Sequence, residues 1–188
     1  MLNFFKAQWL FLQELKSNPG AIGAAFPSSR ELGKVMAEQI PENTTGLIVE
    51  LGAGTGSITK ALQKKFPNKQ LVIIERAKDL YEYLKRHYLG VEVILGDAID
   101  LAKLLESFKE PVQAIVSSLP LRSLDKKVVD QIQKAALECL AEDGIFIQFT
   151  YDPRDNAAEV LPEFKHLYHK KVWCNLPPAK VDVYKKCL

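Results

Sequence analysis

Leu47-Ile48-Val49-Glu50-Leu51-Gly52-Ala53-Gly54-Thr55-Gly56 is the stretch on which the reading of this chain turns. Leu47 to Leu51 is a short, almost wholly apolar run, the pattern of a strand buried on both faces. The glycines after it allow a tight turn and let a ligand approach the backbone with no Cβ in the way. From there a helical pattern runs to Phe66. A glycine loop alone is weak evidence, since many nucleotide-binding proteins carry one. Here the spacing is G-x-G-x-G instead of G-x-G-x-x-G, and an acidic residue, Glu50, stands two positions before the first glycine. A carboxylate at that strand end suits a cationic ligand better than a pyrophosphate.

Working outward, the same unit recurs. Leu71–Glu75, Val91–Leu95, Val112–Ser117 and Gly144–Thr150 read as further strands, with helices over Lys78–His87, Leu101–Phe108 and Lys126–Leu140. Apolar strands alternating with helices predict a parallel sheet covered on both faces. After Asp155 the pattern changes. Lys165–Cys174 and Ala179–Lys186 read as two strands joined by Asn175-Leu176-Pro177-Pro178. That link is too short for a parallel crossover, so the pair is expected to form an antiparallel hairpin. Upstream, a helix is expected over Leu2–Lys16, ended by Asn18-Pro19-Gly20. Another is expected from Ser28 to about Gln39, with Ser28 and Glu31 spaced as a capping box. The chain shows no internal repeat or linker, so residues 1–188 are expected to form one domain, with 1–17 an N-terminal helix and 28–188 the core.

Two further acidic residues fall at strand ends. Glu75 closes the second strand, where a carboxylate can accept both hydroxyls of a ribose. Gly96-Asp97-Ala98 follows the third, where Asp97 is placed to bond an adenine amine. Three carboxylates at the ends of three successive strands line one crevice, the usual ligand site of an open α/β sheet. S-adenosylmethionine, with its ammonium and sulfonium, fits that crevice best. The expected cofactor-binding set is Glu50, the loop residues Gly52, Gly54, Thr55 and Gly56, then Glu75 with Arg76, Gly96-Asp97-Ala98, and Ser117 at the end of the fourth strand.

Composition sets bounds on partners. The 188 residues are 47% hydrophobic and carry a net charge of +2, well short of the basic footprint of a protein that relies on phosphate contacts. Cys139, Cys174 and Cys187 have no paired or metal-type spacing and read as reduced thiols. His166 and His169 form an H-x-x-H pair in an expected strand. Side chains three apart on a regular strand point to opposite faces, so no metal site is expected. No apolar run reaches the ~20 residues that span a bilayer, and residues 1–15 lack the cleavage site of a signal peptide.

The Glu-x-Gly-x-Gly-x-Gly loop, Glu75 and Gly96-Asp97-Ala98 together resemble the cofactor motifs of class I S-adenosylmethionine-dependent methyltransferases. The resemblance implies a Rossmann-like fold with a mostly parallel seven-stranded sheet, helices on both faces and a C-terminal antiparallel hairpin. Within that class, rRNA adenine dimethylases carry Asn-Leu/Ile-Pro-Tyr/Phe after the fourth strand. This chain has Ser118-Leu119-Pro120-Leu121, without the amide or the aromatic platform that a flipped base wants. Gly23-Ala24-Ala25-Phe26-Pro27-Ser28-Ser29, the Ser118 segment, Gln148-Phe149-Thr150-Tyr151 and Asn175-Leu176-Pro177-Pro178-Ala179-Lys180-Val181 resemble instead the bacterial phospholipid N-methyltransferases, which act on phosphatidylethanolamine. One departure is Asp152-Pro153 after Tyr151, where the family pattern has Gly.

That resemblance makes the expected reaction methyl transfer to a phospholipid headgroup amine. Methylation of rRNA adenine or a small molecule, and a non-catalytic cofactor- or membrane-binding module, stand as the alternatives. Tyr151 is expected to hold the headgroup ammonium over its ring, with Ser118 beside it and Leu119, Pro120 and Leu121 shaping the acceptor channel. No dedicated base is evident. Ser28 and Ser29 stand near the cofactor or simply cap a helix. Tyr81, Tyr83 and Tyr88 read as cover for core edges. Leu2, Phe4, Phe5, Trp9, Phe11, Leu12 and Leu15 give the first helix a wide apolar arc, suited to lying in a membrane interface. The chain is accordingly expected in the cytoplasm, held peripherally at the inner face of the membrane.

Overall fold

The computed structural model describes residues 30–152, 161–175 and 178–187. The expected helix over Leu2–Lys16, the Gly23–Ser29 segment, the Ser28 cap and Pro153 lie outside them. Seven strands form one sheet: β1 (Leu47–Leu51), β2 (Leu71–Glu75), β3 (Glu92–Leu95), β4 (Val112–Ser117), β5 (Leu140–Thr150), β6 (Phe164–Val172) and β7 (Ala179–Lys186). Their spatial order is β3-β2-β1-β4-β5-β7-β6. The first five pair in parallel, and β7 enters antiparallel between β5 and β6. This is the expected Rossmann-like sheet with its terminal hairpin.

The burial pattern explains the order. β1 and β2 are buried at all five positions, as a central strand covered on both faces must be. β3 and β6, at the two edges, alternate or face solvent over most of their length. Helices α1 (Arg30–Glu38) and α2 (Ser57–Lys65) cover one face, packing Leu32, Met36, Ile58 and Leu62 on Ile48, Ile147 and Val181. α3 (Lys78–His87) continues that layer, setting Leu84 on Ile73 and Val93. The opposite face carries α4 (Leu101–Leu104) and α5 (Lys126–Cys139), whose Leu101, Ile132 and Ala136 meet Val49, Val72, Ile115 and Phe146. Each of these larger apolar side chains contributes about 1.5–3 kcal/mol by leaving water. The Lys65 ammonium donates to the carbonyls of Ala37 and Ile40 at 3.2 and 2.6 Å, closing the carboxyl end of α1.

Three expectations are corrected. The helix anticipated over Leu101–Phe108 stops at Leu104. Glu106 donates to Lys103 and Phe108 to Leu105, three-residue steps that tighten the chain into turns. β5 begins at Leu140, not Gly144, because Leu140 already pairs with Val112 before the register jumps to Ala114 and Ile145. The largest correction concerns His166 and His169. The β6–β7 register shifts between His166 and Tyr168, so His166 stands opposite Tyr184, and His169 opposite Asp182. Tyr184 and Asp182, two apart on β7, share a face. The bulge at Leu167 therefore turns both imidazoles to the same side.

Candidate active site

The loops that leave β1, β3 and β4 are tied to neighbouring strand ends at the carboxyl edge of the sheet. Gly52 donates its N–H to the Ile74 carbonyl at 2.9 Å, Gly96 to Glu75 at 3.1 Å, and Ser118 to Leu51 at 2.9 Å. Those bonds bring Glu50, Glu75, Asp97 and Ser117 to adjacent strand ends, where the sequence placed them.

The glycine loop has a conformation other residues would resist. Gly52, Gly54 and Gly56 all have positive φ. At Gly52 (φ +69°) a Cβ would stand 2.8 Å from the end of the Leu119 side chain, so the bare backbone lets the loop close against the segment after β4 without moving that side chain. At Gly56 (φ +81°) a Cβ would sit 2.3 Å from the Tyr88 ring. The Tyr88 hydroxyl reaches the carbonyls of Thr55 and Gly56 at 3.1 and 2.8 Å, and burial raises its pKa to about 12, so it remains a donor. Tyr88 thus pins the end of the loop, a role beyond the core cover read from sequence.

Glu50 is fully buried. Its Oε2 accepts from the Thr59 hydroxyl at 2.7 Å, and its Oε1 has no hydrogen-bond partner among the described residues. Burial, aided by repulsion from Glu75, pushes its pKa up to about 8 despite the Thr59 bond. A buried carboxylate oxygen without a partner is electrostatically incomplete, and a cationic group complements it. The cofactor inferred from the sequence carries such a group, so the residues present fit it.

The other carboxylates are engaged differently from the simple expectation. Glu75 accepts from the N–H of Gly54 at 3.1 Å and of Ala77 at 3.0 Å, bracing the glycine loop against β2. A carboxylate has about four acceptor positions, so ribose hydroxyls would share it with these amides. Asp97 caps a single 3₁₀ turn, Ala98–Asp100, accepting from Ile99 N–H at 3.3 Å. Its other oxygen lies 3.7 Å from Arg76, whose side chain is mostly in solvent. Arg76 therefore reaches the crevice through Asp97. Ala98 is buried, and a Cβ on Gly96 would meet Leu104 at 2.6 Å.

Beyond β4, the buried Ser117 accepts from Leu119 N–H at 3.3 Å, while the Ser118 hydroxyl is buried without a partner among the described residues. Leu119 and Pro120 are half-buried at the rim. Leu121, expected to line the acceptor channel, is instead packed into the core, because the 3₁₀ turn Leu121–Ser123 directs it inward. Gln148 carries a role the sequence did not assign to it. Its amide donates to the carbonyls of Leu119, at 3.0 Å, and Phe149, at 2.8 Å, tying the post-β4 segment to β5. Arg122 and Asp152, 3.9 Å apart, make a second tie between these segments. Tyr151 is half-buried at the end of β5, its ring 5.3 Å from Phe149 in an edge-on arrangement.

Comparison with known proteins agrees with this geometry. A family model described as a methyltransferase domain matches residues 48–144, about half of the chain. An ornithine lipid N-methyltransferase of Singulisphaera acidiphila is 32% identical over 158 residues, 81% of this chain and 80% of that protein. A ribosomal RNA small subunit methyltransferase A of Mycoplasma capricolum is also 32% identical, but over 102 residues, 52% of this chain and 38% of that protein. Among solved structures, a TehB-like SAM-dependent methyltransferase of Corynebacterium glutamicum superposes with a TM-score of 0.65 at 16% identity, covering 94% of this chain and 98% of the other. With its strand order, its glycine loop and the buried Glu50 behind it, the chain belongs to the methyltransferase-domain family and is an enzyme that uses S-adenosylmethionine.

Proposed function

We propose that this enzyme methylates the amine of a membrane-lipid headgroup. The observation that carries the reading is coverage. The lipid-modifying relative is matched along four-fifths of both chains, whereas the rRNA relative is matched over little more than a third of its own length. The rim after β4 supports it, since Ser118-Leu119-Pro120 offers no aromatic face and no side-chain amide for a flipped base. Phosphatidylethanolamine, suggested by the sequence motifs, and ornithine lipid, named for the relative, both present a primary amine, and the proposal covers that shared chemistry.

S-adenosylmethionine supplies an activated methyl group on a cationic sulfur. The protein's contribution is placement. Glu50 would hold the cofactor's ammonium end, the glycine loop its backbone, Glu75 the ribose and Asp97 the adenine amine. Tyr151 would hold the headgroup cation against its ring, an attraction that persists as methyl groups accumulate. Ser118, with its buried hydroxyl, would face the same acceptor. A phosphatidylethanolamine amine is largely protonated near neutral pH and must lose a proton before attack, and water at the rim is the acceptor we assign.

The test uses purified enzyme and methyl-labelled cofactor with three acceptors: phosphatidylethanolamine liposomes, ornithine-lipid liposomes and unmodified small-subunit rRNA. Label is expected in one or both lipid fractions. Label confined to RNA would sink the lipid reading and make the Ser118 segment a divergent base pocket.

A further inference from the structure

The hairpin, where the sequence predicts no metal site, carries a cluster of metal-type donors. On a regular strand His166 and His169 would face opposite ways; the bulge at Leu167 brings them to one side. The ligand atoms of His166, His169 and Asp182 all lie within 4.8 Å of one another. His166 Nε2 is 3.0 Å from Asp182 Oδ1, and the two imidazole rings are 6.4 Å apart at an interplanar angle of 24°. Asp182 is almost wholly buried, and its second oxygen, Oδ2, is held 3.3 Å from the Lys180 ammonium. That contact fixes the carboxylate and leaves Oδ1 directed at the histidine, the kind of outer partner that orients a metal ligand.

We infer that His166, His169 and Asp182 form a binding site for a divalent transition-metal ion of the zinc class. Two imidazoles and one carboxylate are borderline donors that suit zinc and its neighbours; calcium and magnesium prefer all-oxygen sets. Three protein ligands leave one tetrahedral position for water or an outside donor. His169 is exposed, giving the ion a way in from solvent. A bulge that re-aims a side chain is a common device near functional sites, and here it alone sets the donors on one face. Asp182 pairs across the sheet with Gln148, so the site lies one strand beyond the residue that holds Leu119.

The test is titration of chelator-treated enzyme with Zn²⁺ against a chromophoric competitor, and with Co²⁺ followed by visible absorption. One equivalent per chain is expected, with tetrahedral-type Co²⁺ bands and a rise in Tm on adding Zn²⁺, and no response to Mg²⁺. His169→Ala, at an exposed edge position, should leave the metal-free Tm unchanged, weaken Zn²⁺ binding by at least about tenfold and abolish the Tm rise. The Cys174→Ser/Cys187→Ser double variant should bind as the parent does, since the thiols are not in the cluster. No stoichiometric uptake, affinity unchanged in His169→Ala, or binding lost with the cysteines would each overturn the site and leave His166 and Asp182 as a hydrogen-bonded pair.

Discussion

Glu50 is held as a buried carboxyl with one oxygen unpartnered among the described residues, a state that the proposed contact with the cofactor's ammonium would relieve. An unperturbed carboxyl titrates near 4.5 and this one near 8. Between those values the folded, cofactor-free chain keeps a proton that the unfolded chain has lost, so this group makes stability fall as pH rises through that window. Glu50→Gln removes the effect. The cofactor-free variant should have a higher Tm than the parent at pH 8 and a flatter dependence between pH 6 and 8, while cofactor affinity falls by about tenfold or more. Thermal unfolding at the two pH values and calorimetric titration with S-adenosylmethionine check both parts; an unchanged pH slope with unchanged affinity contradicts the assignment. Tyr151 makes a separate prediction on the acceptor side. If the ring face holds the headgroup, Tyr151→Phe keeps most lipid kcat/KM and Tyr151→Ala loses about 3- to 30-fold. Full activity in both variants rules the role out. The place of Glu50 at the end of a buried strand was legible because its spacing from the glycines is written in local order. Thr59, which donates to it, and Tyr88, which pins the loop 33 residues away, were not, because their roles exist only where separate segments meet.

Among the elements, the segment after β4 shows how a sheet positions a rim. Ser118 is bonded to β1 through its N–H, Leu119 is pressed against Gly52, and Gln148 of β5 holds the Leu119 carbonyl. The glycine loop, β1 and β5 are thereby joined through one short piece of chain. Gln148→Leu keeps approximate volume but removes the side-chain bond to that carbonyl, which keeps only the Leu121 N–H as donor among the described residues, at a cost of about 0.5–1.5 kcal/mol in stability. The expected kinetic result is a severalfold rise in acceptor KM with cofactor Kd unchanged, measured by steady-state methylation and by titration on the same preparation. An equal loss on both sides would place Gln148 in general packing. The parallel strands and α5 were read closely from apolar runs and polar breaks. The short α4 and the early start of β5 were not, because three-residue turns and a register jump leave no periodic trace.

At the scale of the whole molecule, the carboxyl edge of the sheet gathers the glycine loop and the three acidic strand ends, and the hairpin extends the same sheet beyond β5. The apolar arc of residues 2–15 supports the proposal that the chain docks on a membrane through that segment. A form lacking residues 1–16 is expected to bind cofactor as the parent does but to lose co-sedimentation with liposomes; retained sedimentation would place membrane contact elsewhere. The sequence by itself determined the fold class, the cofactor and the three acidic strand ends. Each is written in local order: an apolar strand, a glycine loop, a carboxylate at fixed spacing. Only the tertiary structure decided that Leu121 turns into the core, that Tyr88 and Gln148 brace the site, and that a bulge puts His166, His169 and Asp182 together. Those outcomes depend on register between strands and contact between distant segments, and a one-residue shift in register reverses the face a side chain occupies without changing a single letter of the chain.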